Sequence, residues 1–287
     1  MTQIQQAEQV TDPVAYHGEG AVWSESWGGL RWVDMLAGDI LSLDARTGRV
    51  ERLATGSPVA AMIRPRVGGG FVAVTEREFS LWTEAGREWV SEPVWPGPTQ
   101  RFNEGGCTPE GDLFCGTMAY ERVVGTAEVF RFGADRSVSP LFDGVTISNG
   151  LGFSADGTRM FYVDSPTRRI DVFDYADGVL TNRRPFVTLP EGVGGPDGLT
   201  VDSEDGVWIA LYGGSAVRRY DREGTLTNIV ELPVSKITSC TLGGADLRTL
   251  YITTSREFLE PHDEPLAGSV FAASVEIAGL PVLPYAG

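Results

Sequence analysis

The chain is short of the residues that histidine-rich metal clusters, disulfide frameworks and membrane spans require. Its 287 residues include two histidines, His17 and His262, and three cysteines, Cys107, Cys115 and Cys240. Two histidines are too few for a His-rich cluster. The cysteines form no CxxC pair and leave an odd thiol over, which fits buried thiols in a reducing compartment. No apolar run approaches the length of a membrane span. The opening "MTQIQQAEQV" has neither a basic nor an apolar leader region, so a cytoplasmic location is expected. Basic charge is also scarce, with 23 Lys and Arg against 39 Asp and Glu, a formal net charge of −16. Such a surface repels phosphate backbones and anionic lipid, so neither nucleic acid nor membrane is expected as a partner. A helical period is missing too: "ESWGGLRWVDML" and "REFSLWTEAGREWV" break on glycine or read better as strands.

What is present is glycine (36), proline (17) and short runs of Val, Phe, Tyr and Trp, the profile of many short strands joined by tight turns. In "TISNGLGFSADGTRMFYVDS", residues 146–165, "SADG" is turn chemistry and "RMFYVDS" alternates as a half-buried strand would. Asn149-Gly150 is a turn-like pair with no partner strand before it. The same arrangement recurs: "GEGAVWSESWGGLRWVDM", "NEGGCTPEGDLFCGTM", "PDGLTVDSEDGVWIALY", "TSCTLGGADLRTLYITT" and, more weakly, "VAAMIRPRVGGGFVAVTE". Most copies continue into a third strand, as in "RIDVFDYADGVL". The openings fall near residues 19, 61, 103, 149, 197 and 239. Six copies of a four-stranded unit at this period predict an all-β fold, a six-bladed β-propeller. One domain is expected over residues 1–287, with the N-terminal segment completing the sixth sheet.

In a propeller the first strand of each unit lines the central channel, so the opening residues gather at one mouth. Those residues are Glu19, Ala61, Glu104 with Asn103 beside it, Asn149, Asp197 and Ser239. Any one Asn-Gly or Asp-Gly alone is better read as capping a strand end. In register, three to five oxygen-bearing side chains on one axis point to a divalent cation, because clustered carboxylates without one repel. All-oxygen donors suit Ca²⁺, Mg²⁺ or Mn²⁺, with Zn²⁺ less favoured.

"GEGAVW", "RFNEGGCTPEGDLFCGTM", "SNGLGFSADG", "PDGLTVD" and "SCTLGG" together resemble the SMP-30/gluconolactonase/luciferin-regenerating (regucalcin-like) family over nearly the whole chain. The resemblance implies one catalytic divalent metal, Ca²⁺ first among the candidates, held by Glu19, Asn149 and Asp197. It implies substrate contacts from Arg101 and Asn103 of "RFN" and from Glu121 after "GTMA", with Glu104 in support. It further implies a metal-dependent lactonase that opens sugar lactones to aldonic acids, with Asp197 as general base. The segment "YERVVGTAEVF" is shorter than a lid-like loop known in the family. Two other readings belong with this one: hydrolysis of another lactone, ester or phosphotriester, and a non-catalytic calcium-binding or protein-binding propeller. Covalent acyl chemistry is not expected, with two histidines and no nucleophile-elbow motif. His17 is read as a strand-end residue near the mouth, His262 as a loop residue, and Trp23, Trp32 and Trp208 as core. "GVGGP" precedes no helix and is no phosphate loop.

Overall fold

The computed structural model describes residues 2–260 and 262–287. Their strands form six sheets, five of four strands and one of five. The innermost strands are Gly18–Ser24, Ala60–Pro65, Gln100–Cys107, Ser148–Phe153, Gly195–Val201 and Ile237–Gly243, and we number the blades 1 to 6 in that order. Each innermost strand packs against those of the two adjacent blades, and blade 6 returns to blade 1, so the ring is closed. Six-bladed propeller architecture is therefore present as the repeat predicts.

The N-terminal segment closes the ring. Glu8–Gln9 pairs antiparallel with Val270–Ser274 and becomes the outermost strand of blade 6. Gln3–Gln6 runs parallel to Leu226–Glu231 as a fifth strand on blade 5, which the sequence pattern does not announce. At the other end of the chain, residues 280–283 cross the channel end away from the opening residues, between anchors on blade 5 (Ser203 N donating to Ala278 O, 2.9 Å) and blade 2 (Tyr285 N donating to Pro65 O, 2.8 Å).

Burial runs from axis to rim rather than from one sheet face to the other. Arg159–Asp164, expected to be half buried, is buried over Met160–Asp164, because neighbouring blades cover both of its faces. The outermost strand of blade 1, Val50–Ala54, is almost wholly exposed. Trp32 and Trp208 lie in the core as expected, whereas Trp23 is half buried and stacks on Tyr251. Each large apolar side chain buried this way contributes roughly 1.5–3 kcal/mol by transfer from water. All three cysteines are free and buried, and burial pushes the Cys107 thiol up to about 12. His262 is exposed. No described helix is long and apolar enough to cross a membrane.

Candidate active site

All six innermost strands lose register with their neighbours near the same level. The breaks fall between Glu19 and Val22, Ala60 and Met62, Phe102 and Gly105, Ser148 and Leu151, Pro196 and Leu199, and Ile237 and Ser239. Such a bulge bends the strand and re-aims a side chain that regular alternation would send into a blade. Ala61, Asn103 with Glu104, Asn149 and Asp197 lie within these breaks, and Glu19 and Ser239 border theirs. Glycine follows Asn149 and Asp197 because adjacent inner strands come too close there for a Cβ: at Gly150 it would stand 2.7 Å from the Leu199 amide nitrogen and 2.8 Å from the Asp197 carbonyl oxygen, and at Gly198 2.6 Å from Ser239 Oγ.

At this level carboxylate oxygens of Glu19, Glu104 and Asp197 lie within 4.8 Å of one another. The three residues are 3%, 4% and 6% exposed, so water does little to screen them. Asp197 Oδ1 and Glu104 Oε2 are buried without a hydrogen-bond partner. Burial, followed by the charges of Glu19 and Glu104, pushes the Asp197 carboxyl well above the usual carboxylate range. Glu19 is pushed the same way by burial and by Glu104, against a hydrogen bond from the Gly20 amide. Glu104 is raised to about 7 by burial, tempered by Arg64 and the Ser239 hydroxyl. Three crowded carboxyls with unpartnered oxygens resist ionising together, and a hard divalent cation would remove that resistance. The donor set fits such a cation.

Two amides and a guanidinium border the acids. Asn103 Nδ2 donates to Asn149 Oδ1 and to the Ser148 carbonyl, both at 2.7 Å. Asn149 Nδ2 donates to Ser165 Oγ (2.7 Å), whose hydroxyl donates to the Pro196 carbonyl (2.7 Å), so one chain of bonds ties blades 3, 4 and 5. Arg101 is 7% exposed and donates to Asn103 Oδ1 and to the Phe102 carbonyl. His17 stands at the mouth with Nε2 3.8 Å from Glu19 Oε1, and its Nδ1 is 2.7 Å from Ser255 Oγ.

The structure thus brings Glu19, Asp197, Asn149, Asn103 and Arg101 to one place. It also puts Glu104 among the carboxylates, closer to the centre than a supporting role suggests. Glu121 is different: it is exposed on the turn after Leu113–Ala119, without a hydrogen bond or ion pair among the described residues. Sequence reasoning did not single out Ser165, Ser255 or Glu257, whose carboxylate lies 3.7 Å from His17 Nδ1. Their one available signal is position: Ser165 and Ser255 directly follow the second strand of a blade, and Glu257 comes soon after Ser255, where the chain returns to the mouth.

Residues 17–256 match the family model described as SMP-30/Gluconolactonase/LRE-like region. Regucalcin of Sus scrofa is 35% identical over 284 residues, covering 94% of this chain and 95% of that protein. Among solved structures, regucalcin from Agrobacterium tumefaciens, described as a calcium-binding protein, superposes with a TM-score of 0.92 at 24% identity, covering 99% of each chain. A gluconolactonase from Xanthomonas campestris superposes with a TM-score of 0.77 at 20% identity, covering 93% of this chain and 89% of that one. The matched span takes in Glu19, Arg101, Asn103, Glu104, Asn149 and Asp197, and the chain belongs to the SMP-30/gluconolactonase/LRE-like family.

Proposed function

We propose that the chain is a divalent-cation-dependent lactonase that opens sugar lactones to aldonic acids. The observation that carries this reading is the buried trio Glu19, Glu104 and Asp197, set beside Asn103, Asn149 and Arg101 at the open end of the channel. A gluconolactonase among the proteins of the same fold supports the substrate class. Glu19, Asn149 and Asp197 would hold the cation, with Glu104 within reach. The oxygen donors favour Ca²⁺ over Mg²⁺ or Mn²⁺, and Zn²⁺ stands last. When bound, the cation supplies Lewis acidity for the lactone carbonyl and keeps the carboxyls ionised.

The side chains do the rest. Asp197, whose Oδ1 has no hydrogen-bond partner, takes a proton from the attacking water as general base. The water oxygen bonds to the carbonyl carbon, and the ring carbon–oxygen bond breaks. The proton passes to the departing ring oxygen, which leaves as a hydroxyl group. Arg101, held by the Phe102 carbonyl, donates to the oxygen on which charge develops, while Asn103 orients ring hydroxyls. Glu121 is assigned to the outer hydroxyls of the substrate.

The test is acid release from a panel of aldonolactones, followed by pH-stat with Ca²⁺, with chelator and after Ca²⁺ is restored. Release should require the cation. Asp197→Asn should lower turnover by roughly 10²–10⁴-fold even at saturating Ca²⁺, the usual worth of a positioned base. Near-wild-type turnover at saturation would leave Asp197 as a ligand only. Ca²⁺ binding by calorimetry with no hydrolysis of any lactone would overturn the lactonase reading. It would favour a calcium-binding propeller, as the Agrobacterium relative is described.

A further inference from the structure

Lys236 is the only lysine in the chain. It directly precedes the innermost strand of blade 6, on the side of the mouth. Its ammonium donates to the Glu257 carbonyl and lies 5.7 Å from the Tyr212 ring centroid and 5.4 Å from that of Phe258. Arg122 arrives from the other side of the mouth, on the turn after the second strand of blade 3, and its Cζ lies 5.4 Å from the same Phe258 ring. Phe258 is 70% exposed, an unusual place for a phenylalanine. Both Arg122 (φ 51°) and Phe258 (φ 58°) have left-handed backbone, which is costly for bulky side chains and tends to mark functional loops.

Both cations stand at the mouth, on the ring of Phe258. Neither Lys236 nor Arg122 has a carboxylate within ion-pair distance among the described residues, although the chain carries 39 acidic side chains. Glu257, the acid beside Lys236, turns its carboxylate to His17 and offers Lys236 only its carbonyl, and the exposed Glu121 carboxylate next to Arg122 in the chain makes no ion pair with it. Two unpaired cations sharing one exposed ring repel each other. Cation–π contacts hold them in place, and an anion between them would offset the repulsion.

Resting on the lactonase reading above, we infer that Lys236 and Arg122 form an anion-recognition rim, so that the substrate is a sugar lactone carrying a carboxylate or phosphate at the end remote from the lactone carbonyl. The geometry divides the labour. The carbonyl must reach the acidic floor, where Glu19 and Asp197 lie, so the rim meets the opposite end of the molecule. Lys236 and Arg122 are specificity residues and take no part in proton transfer.

The experiment compares three lactones with Ca²⁺ present: neutral D-glucono-1,4-lactone, D-glucaro-1,4-lactone with a terminal carboxylate, and 6-phospho-D-gluconolactone. The wild type should favour one of the anionic lactones in kcat/KM by roughly tenfold or more, as charge-assisted hydrogen bonds provide. The preference should be carried by KM and fall as salt rises. Which anionic lactone wins distinguishes carboxylate from phosphate. Lys236→Met and Arg122→Met should each lose several-fold more on the anionic lactone than on the neutral one, and Lys236→Arg should restore most of the preference. Equal rates on all three lactones, or equal losses on neutral and anionic lactones in both variants, would overturn the inference while leaving the lactonase reading intact. Calorimetry with D-glucarate and D-gluconate separates the converse case. Tighter glucarate binding that Lys236→Met abolishes would uphold the rim even if no lactone is turned over, and equal binding of the two acids would count against it.

Discussion

Glu104 is the residue at which charge, burial and position are most finely balanced. Its carboxyl is raised to about 7, by burial first, so in the cation-free protein it gains a proton on folding over much of the acid range. A group whose folded pKa exceeds its unfolded value contributes stability that is fully present below the unfolded pKa, near 4.5, and lost as pH rises towards 7. The loss is up to about 3 kcal/mol, at 1.36 kcal/mol per unit. His17, pushed down to about 3, works in the opposite sense below its ordinary pKa. The diagnostic is therefore the difference between wild type and Glu104→Gln rather than either melting curve alone. Without cation, the stability of wild type relative to Glu104→Gln should fall between pH 4.5 and 7, and millimolar Ca²⁺ should flatten that trend. Urea titrations across this range measure it, and a constant difference would place the Glu104 carboxyl outside the coupled cluster.

At the scale of the strand, the device in blades 4 and 5 is a glycine placed one step after a bulged polar residue. Gly150 has no room for a Cβ against the Leu199 amide and the Asp197 carbonyl, so Gly150→Ala must push blades 4 and 5 apart where Asn149 and Asp197 meet. Overpacking of this kind costs about 1–3 kcal/mol. Gly195→Ala, on the innermost strand of blade 5, meets nothing nearer than the Tyr212 carbonyl at 3.9 Å and should stay within about 0.5 kcal/mol of wild type. Gly150→Ala should also weaken Ca²⁺ binding, which calorimetry on both variants would reveal; equal stability and affinity would refute the close-approach argument. This device explains what the sequence could and could not tell. "SNG", "PDG" and "GEG" mark the mouth because the glycine is visible in the sequence. The bulge itself is not, since it depends on how two strands pair. In "RFNEGG" the register breaks between Phe102 and Gly105, so counting alternate residues cannot decide whether Asn103 or Glu104 faces the axis. Both are buried there, Asn103 bonded to Asn149 and Glu104 grouped with Glu19 and Asp197.

For the molecule as a whole, the six-fold count was legible because each blade repeats the same strand and turn chemistry, but closure depends on residues outside the repeat. "QIQQAEQ" has no apolar alternation, so nothing in it announces two strands on two different blades. Their roles differ in kind. Gln3–Gln6 adds a strand to a blade already complete, bonded at its polar edge by pairs such as Asn228 Nδ2 donating to Gln3 Oε1 (2.8 Å). Glu8–Gln9 supplies the fourth strand of blade 6, and the next residues extend the seam, with Val10 N donating to Val270 O (2.8 Å) and Val270 N to Thr11 Oγ1 (3.0 Å). Blade 6 in turn sits between the strands bearing Glu19 and Asp197, and Thr238 Oγ1 donates to the Gly18 carbonyl at 2.5 Å. Closure of the ring thus sets the spacing of carboxylates that lie far apart in the chain. Deleting residues 2–6 should lower stability only slightly and leave Ca²⁺ affinity unchanged. Deleting residues 2–10 should expose Val270–Ser274 as a bare edge, promote self-association and weaken Ca²⁺ binding several-fold. Thermal melts, size-exclusion chromatography and calorimetry on the two truncations decide the matter. If both bind Ca²⁺ as the full chain does, the acidic cluster is held by the inner strands alone, and the N-terminal seam serves only the rim of blade 6.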